Sequence, residues 1–243
     1  MSQLLLDHIS ITADTREIVQ DVTLQIRSGE LHVLMGQNGS GKSTLLNGIM
    51  GHPRLALIKG GVLIDDEDVT ALSTEKKATK GIFLSMQYLP EIPGVTLLNF
   101  LHRAHKAQTG SEVGVLEFYR ALEAEAKEVG IDPSFLRRQV GVGLSGGEKK
   151  QAEILQMIAL RPKFALLDEI DSGVDVDALA RVKAGIAYLR ARGTGFLMIT
   201  HYGESLGDMS PDRIHVMKEG KIVRSGGVEI SQEIRKDGFS NIS

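Results

Sequence analysis

The sequence predicts an α/β protein with a mostly parallel core sheet, an N-terminal antiparallel β layer and an inserted helical lobe. Three observations predict it. The first thirty residues alternate apolar and polar positions, at Leu4, Leu6, Ile9 and Ile11 and again at Ile18, Val22, Leu24 and Ile26, the period of half-buried antiparallel strands. Further on, short apolar runs bounded by glycine recur between helical stretches, as in strands buried on both faces. From Asn99 to Gln139 the apolar period changes from two to about 3.6, which marks the helical insertion.

Each element follows in order. Ser28-Gly29 turns the antiparallel layer into an apolar strand at Glu30 to Met35, and Ser43 to Met50 reads as a helix. Gly60-Gly61 precedes a strand at Val62 to Ile64, and Gly81 to Met86 reads as a buried parallel strand ending at Gln87. In the lobe, Val115, Phe118, Tyr119, Leu122, Ala126 and Val129 share one helical face, closed by Gly130, with Asp132-Pro133 starting the next helix. Phe118 and Tyr119 read as core residues. A helix after Gly147 stops at Arg161-Pro162, and two buried strands, Phe164 to Leu167 and Phe196 to Ile199, flank a helix at Val176 to Arg190. Ile214 to Met217 and Lys221 to Val223 form a hairpin turning at Glu219-Gly220. The expectation is one domain over 1–243, its core built from 1–87 and 164–243 and its helical lobe from 88–163.

The chain has 243 residues, 42% of them hydrophobic, so it can bury a large core. A net charge of −3 without a long basic run argues against a general nucleic-acid surface. Neither a stretch of membrane-spanning length nor a secretion signal at Met1 to Ser10 is present, which predicts a cytoplasmic protein without direct membrane insertion. Cysteine is absent, so this chain forms no disulfide and holds no metal cluster through thiolates. His102 and His105 have a spacing found in metal sites but no carboxylate cluster beside them; packing is the expected role.

The chemistry is concentrated in a few stretches. Gly36-Gln37-Asn38-Gly39-Ser40-Gly41-Lys42-Ser43 fits the phosphate-binding loop, in which glycines let backbone N–H groups curl around phosphate oxygens at a helix start and a lysine reaches the terminal phosphates. Its strand-before, helix-after context agrees. Far downstream lie Leu144-Ser145-Gly146-Gly147-Glu148 and Leu166-Leu167-Asp168-Glu169.

Together these stretches resemble the P-loop ATPase domain of the ABC superfamily over essentially the whole chain. The resemblance implies an Mg2+-dependent ATP hydrolase with ATP and Mg2+ as cofactors. Nucleotide contacts would come from Gly36 through Ser43 with Thr44, and Lys42 would hold the β and γ phosphates. The metal would sit between Ser43, Asp168 and Gln87. Glu169 would be the catalytic base polarising the attacking water, and His201 the switch histidine on the γ phosphate. Ser172 to Asp175 would be the loop through which two such domains communicate. Ser145, Gly146 and Gly147 would meet the γ phosphate held by a second copy, so the resemblance implies an ATP-dependent homodimer.

Within the superfamily, Tyr88 to Val95, Gly146 to Lys150 with Ile154 to Met157, Asp168 to Leu179, and Thr200-His201-Tyr202 resemble the SufC family of iron–sulfur cluster assembly ATPases. That implies a cysteine-bearing SufB/SufD-like scaffold as partner, docking around Gln87 to Thr96, while ATP-driven closure remodels it. The stretch after Gly94 and the helical lobe depart from the commonest form, which points to a divergent version with a single SufB-like scaffold. An ATP-binding subunit of a membrane transporter and a nucleotide-responsive module without turnover remain the alternatives. Lys149 and Lys150 are expected to be solvated. Ile11 to Val19 holds no aromatic residue on which adenine could stack, and Arg16 is expected at the surface, so discrimination between ATP and GTP should be modest.

Overall fold

The computed structural model describes residues 1–85, 90–171, 173–200 and 209–239. Two long strands open it, β1 (Gln3–Ala13) and β2 (Arg16–Arg27). They pair antiparallel with Leu4 opposite Ile26 and Leu6 opposite Leu24, so the period-two alternation puts all four on one buried face. After β3 (Leu31–Met35) and α1 (Lys42–Met50), β4 (Leu55–Ile64) returns beside β1 and carries β5 (Glu67–Asp68). The layer's order is β2-β1-β4-β5. Here the sequence reading is corrected, because Gly60 and Gly61 lie inside a strand and not before one. A register shift between Asp7 and Ser10 marks a bulge, and at Gly60, with φ of 80°, a Cβ would sit 2.2 Å from the Asp7 carbonyl oxygen.

The core sheet has the order β12-β11-β3-β10-β9-β6. Five of its strands run parallel: β6 (Ile82–Leu84), β9 (Phe164–Asp168), β10 (Gly195–Ile199), β11 (Arg213–Lys218) and β3. At one edge β12 (Lys221–Gly226) pairs antiparallel with β11. Residues along the central strands alternate between two hydrophobic cores. Val33, Leu167 and Met198 join the core on the helical side, whereas Leu34, Leu166 and Ile199 join the one shared with α1 and the antiparallel layer. Burial on both faces explains why these strands read as unbroken apolar runs.

The inserted lobe contains β7 (Ile92–Thr96), α3 (Leu97–Thr109), α4 (Val115–Glu128), a 3-10 turn (Pro133–Arg137), β8 (Gln139–Val140) and α5 (Gly146–Leu160). Asp132 caps the 3-10 turn by accepting from the Ser134 N–H at 2.8 Å. Phe118, Leu122, Ala126 and Val129 are buried as the period requires, but Val115, on the first turn of α4, is 44% exposed. His102 and His105 are packing residues. Each bonds a backbone oxygen, of Val113 and Ala159 respectively, and each ring lies 5.3 Å from Phe118.

The pairing of β7 with β8 was not legible, nor were α2 (Thr74–Thr79), too short and polar to show an apolar period, and the terminal α7 (Glu229–Asp237), whose apolar face rests on Ile230 and Ile234 alone. Between β9 and β10, α6 (Val176–Ala191) packs against α5 closely enough that a Cβ on Gly185 would lie 2.3 Å from Ile154 Cγ2. No helix among the described residues is long and apolar enough to cross a membrane.

Candidate nucleotide site

Parallel registry sets the stage. Ile199 of β10 stands opposite Leu34 of β3 and opposite Asp168 of β9, so the carboxyl ends of these strands finish in one row. Ligands of open α/β sheets bind along such a row. The loop 36–41 leaves β3 there and is wedged against β11. A Cβ on Gly36 would fall 2.3 Å from the Met217 carbonyl oxygen, and one on Gly41, with φ of 107°, 3.1 Å from that of Ile18. The Gly220 N–H donates to the Ser40 oxygen at 2.9 Å, tying the β11–β12 turn to the loop.

Three features of this loop invite an anion. Gly41 is the N-cap of α1, no side chain caps the helix, and its first turn holds no acid, so its leading N–H groups point outward unanswered by a side chain. Ser40 Oγ is buried without a hydrogen-bond partner. Lys42, 5% exposed, folds its ammonium back to donate to the oxygens of Gly36 at 2.8 Å and Gln37 at 3.0 Å. Burial lowers the Lys42 pKa, while the charges of Glu169 and Asp168 act to raise it. A phosphate chain would answer the helix end, the orphaned hydroxyl and the ammonium together, so these residues fit a nucleoside triphosphate.

Ser43 Oγ donates to Asp168 Oδ1 at 3.2 Å. Asp168 is 6% exposed; burial pushes its carboxyl up, the Ser43 bond lowers it and the Glu169 charge raises it. A hydroxyl and one carboxylate side by side fit Mg2+, which uses few protein oxygens and takes the remainder from phosphate and water. Glu169 follows directly, with φ of 51°, a left-handed value uncommon for a side-chain-bearing residue, and its N–H donates to the Ile199 oxygen at 3.2 Å. Thr44 continues α1, and Thr200 donates its hydroxyl to Asp171. Gln87, His201 and Ser172, with Tyr88 and Tyr202, lie outside the described residues.

Ser145 N-caps α5 in a complete capping box. Its Oγ accepts from the Glu148 N–H at 3.3 Å, and Glu148 Oε2 accepts from the Ser145 N–H at 2.8 Å. Arg138 steadies the turn by donating to Glu148 Oε1 at 2.7 Å and to the Gly143 oxygen at 3.1 Å. The two glycines are there for close packing. A Cβ on Gly146 would sit 3.0 Å from the Gly173 oxygen, and one on Gly147 2.8 Å from Ala178 Cβ at the start of α6, which Asp175 caps. Ser145 and Gly146 nevertheless remain exposed. No hydrogen bond or ion pair among the described residues joins this turn to the phosphate loop of its own chain.

Sequence reasoning missed several neighbours. Lys150 is not solvated: only 12% of its side chain is exposed, and it pairs with the buried Glu153 at 3.4 Å. The signal was an acid three residues beyond Lys150 on the same helix, within pairing distance. Phe239 lines a cavity of about 160 Å3 beside Asn38 and Ser40, a placement that no local pattern foretold.

Comparison with known proteins agrees with this geometry. The family model described as ABC transporter matches residues 19–172. Vegetative protein 296 of Bacillus subtilis is 42% identical over 240 residues, covering 98% of this chain and 92% of its own. A probable ATP-dependent transporter of Synechocystis is 43% identical over 245 residues, covering 98% and 96%. Among solved structures, the ADP conformation of an ATP-binding cassette of an ABC transporter superposes with a TM-score of 0.77 at 26% identity, covering 98% of this chain and 96% of that one.

Proposed function

Because the chain belongs to the ABC transporter family of ATPases, we propose that it is the cytoplasmic, Mg2+-dependent ATPase of a Suf-type iron–sulfur cluster assembly machinery, closing as an ATP-bound homodimer to remodel a SufB/SufD-like scaffold. One observation carries the mechanical part. The phosphate loop ends in an uncapped helix, and the Ser145 turn lies exposed without a bond to that loop, so each chain holds half a site. ATP bound by one copy would be completed by Ser145, Gly146 and Gly147 of the second.

In this reading Lys42 releases the Gly36 and Gln37 oxygens and turns to the β and γ phosphates. Ser43 and Asp168, with Gln87, would hold Mg2+, which would supply charge that neutralises the phosphate oxygens. Glu169, held at the end of β9, orients the attacking water and accepts its proton, while His201 contacts the γ phosphate. Hydrolysis removes the shared γ phosphate and the pair opens.

The Suf assignment rests on the motif resemblance and on the absence of cysteine, which leaves any cluster to a partner. The relatives named as ATP-dependent transporter and ABC transporter ATP-binding protein favour a second reading, the ATP-binding subunit of a membrane transporter. Purification of the tagged chain from its source separates the two. A soluble, cysteine-bearing scaffold supports the Suf reading, and a polytopic membrane protein in its place would replace that reading with the transporter one.

A further inference from the structure

Two carboxylates among the described residues are more than nine-tenths buried, Asp168 and Glu153. Asp168 belongs to the candidate site. Glu153, 3% exposed, sits on α5 about two turns beyond Ser145 and has no role in the mechanism above. Ser85 Oγ donates to Glu153 Oε2 at 3.1 Å, and Lys150 Nζ approaches the same oxygen at 3.4 Å. Ser85, 1% exposed, directly follows β6, and its own N–H donates to the Leu166 oxygen of β9 at 2.8 Å. Leu166 lies two residues before Asp168 on that strand. A continuous bonded line therefore runs from the exposed Ser145 turn along α5 to Glu153, through Ser85, and across to the strand that ends in Asp168.

A side chain kept only to fill this space would be apolar. Burying a carboxylate against one hydroxyl and one long ammonium contact costs free energy that a leucine would not. Burial pushes the Glu153 carboxyl up, with Lys150 and Ser85 opposing it. We propose that Glu153 is a positioning residue that ties α5 to the strand bearing Asp168, so that completion of the site by a second copy is passed to hydrolysis in the first. The proposal rests on the dimeric ATPase reading. Its contribution is the link between the lobe that meets the opposite nucleotide and the strand that serves its own.

The test compares the full-length parent with Glu153→Leu, Glu153→Gln and Ser85→Ala. ATP affinity, ATP-driven association in EDTA, melting temperature and steady-state hydrolysis are measured for each. Glu153→Leu should keep ATP affinity and association within about threefold, keep or raise the melting temperature, and lower kcat by about tenfold or more with KM within about twofold. Glu153→Gln, which still offers Ser85 an acceptor, should recover part of that loss. Ser85→Ala should lower kcat in the same way, and the double variant Ser85→Ala, Glu153→Leu should be no worse than the more impaired single one.

Parental kcat in Glu153→Leu overturns the proposal, as does parental kcat in Ser85→Ala should the leucine variant fail to fold. A kcat loss matched by losses of association and melting temperature also overturns it, because that pattern marks packing alone. If the parent neither hydrolyses ATP nor associates, the underlying ATPase reading fails instead.

Discussion

Two helix starts in this chain are built in opposite ways. The start of α1 has glycine as its N-cap, no side-chain cap and no acid in its first turn, and it buries a lysine beside it. By contrast, α5 begins with a reciprocal capping box of Ser145 and Glu148, further clamped by Arg138. A bare helix end needs an acceptor from outside, and the positive field there selects an anion. A closed end is already stable and keeps its shape while waiting. Under the proposed function, the difference suits α1 to seizing a ligand and α5 to presenting a preformed surface to one held by a second copy.

Breaking the chemistry while leaving both helix starts intact should have the largest effect. Glu169→Gln should lower turnover by about a thousandfold, while the ATP-bound pair accumulates on size-exclusion chromatography. Normal hydrolysis by this variant would remove Glu169 from the role of base.

The two helix starts themselves should separate binding from assembly. Lys42→Ala should weaken ATP binding to the single chain by about a hundredfold, since its buried ammonium lies against the loop at Gly36 and Gln37. Ser145→Ala should leave that binding within about twofold, destabilise α5 by about 1 kcal/mol, and lower ATP-driven association by about tenfold. Equal effects of the two changes on single-chain ATP affinity would erase the distinction.

The core sheet that leads into the phosphate loop holds a buried, titratable histidine pair. His32 of β3 and His215 of β11 hydrogen-bond each other at 3.1 Å, with Ser225 on the far side of His215 and Glu30 on the far side of His32. Desolvation lowers the His215 pKa to about 3, with the His32 and Arg213 charges adding to it. Burial likewise lowers that of His32 against Glu30 and Asp212. A histidine kept neutral in the fold takes up a proton more readily when unfolded, so its stabilisation is complete above the unfolded value and is lost as pH falls below it. From about pH 7 to about pH 5, His215 alone should account for roughly 2 kcal/mol of lost stability. Thermal unfolding of the parent and His215→Gln across this range checks it; identical slopes would show that the pair does not titrate as described.

The smallest effect concerns the base. Arg16 is exposed and β1 and β2 bring no aromatic ring to the loop, so kcat/KM for ATP and GTP should differ by less than about tenfold. A hundredfold preference for ATP, lost in Phe239→Ala, would point instead to the ring beside Asn38.

Much of this was legible in the chain. Gly36 to Ser43 announced a loop between strand and helix because the motif is local, and Phe164 to Leu167 announced a buried strand because burial on both faces leaves no polar position. Other features were silent because their partners lie far away in sequence. Gly60 looked like a strand boundary until the bulge opposite Asp7 and His8 gave it a reason to be inside one. Lys150 looked solvated until Glu153 and the cover of the core buried it.

By itself the sequence determined the class of fold and the strand–loop–helix setting of Gly36 to Ser43, since hydrophobic period and local spacing specify both. Only the tertiary structure decided that Ser43 donates to Asp168, that Ser85 bonds Glu153, and that no hydrogen bond among the described residues ties the Ser145 turn to the phosphate loop. The reason is physical: parallel strands bring together residues separated by long crossovers, and their registry is set by packing across both cores, which no local pattern encodes.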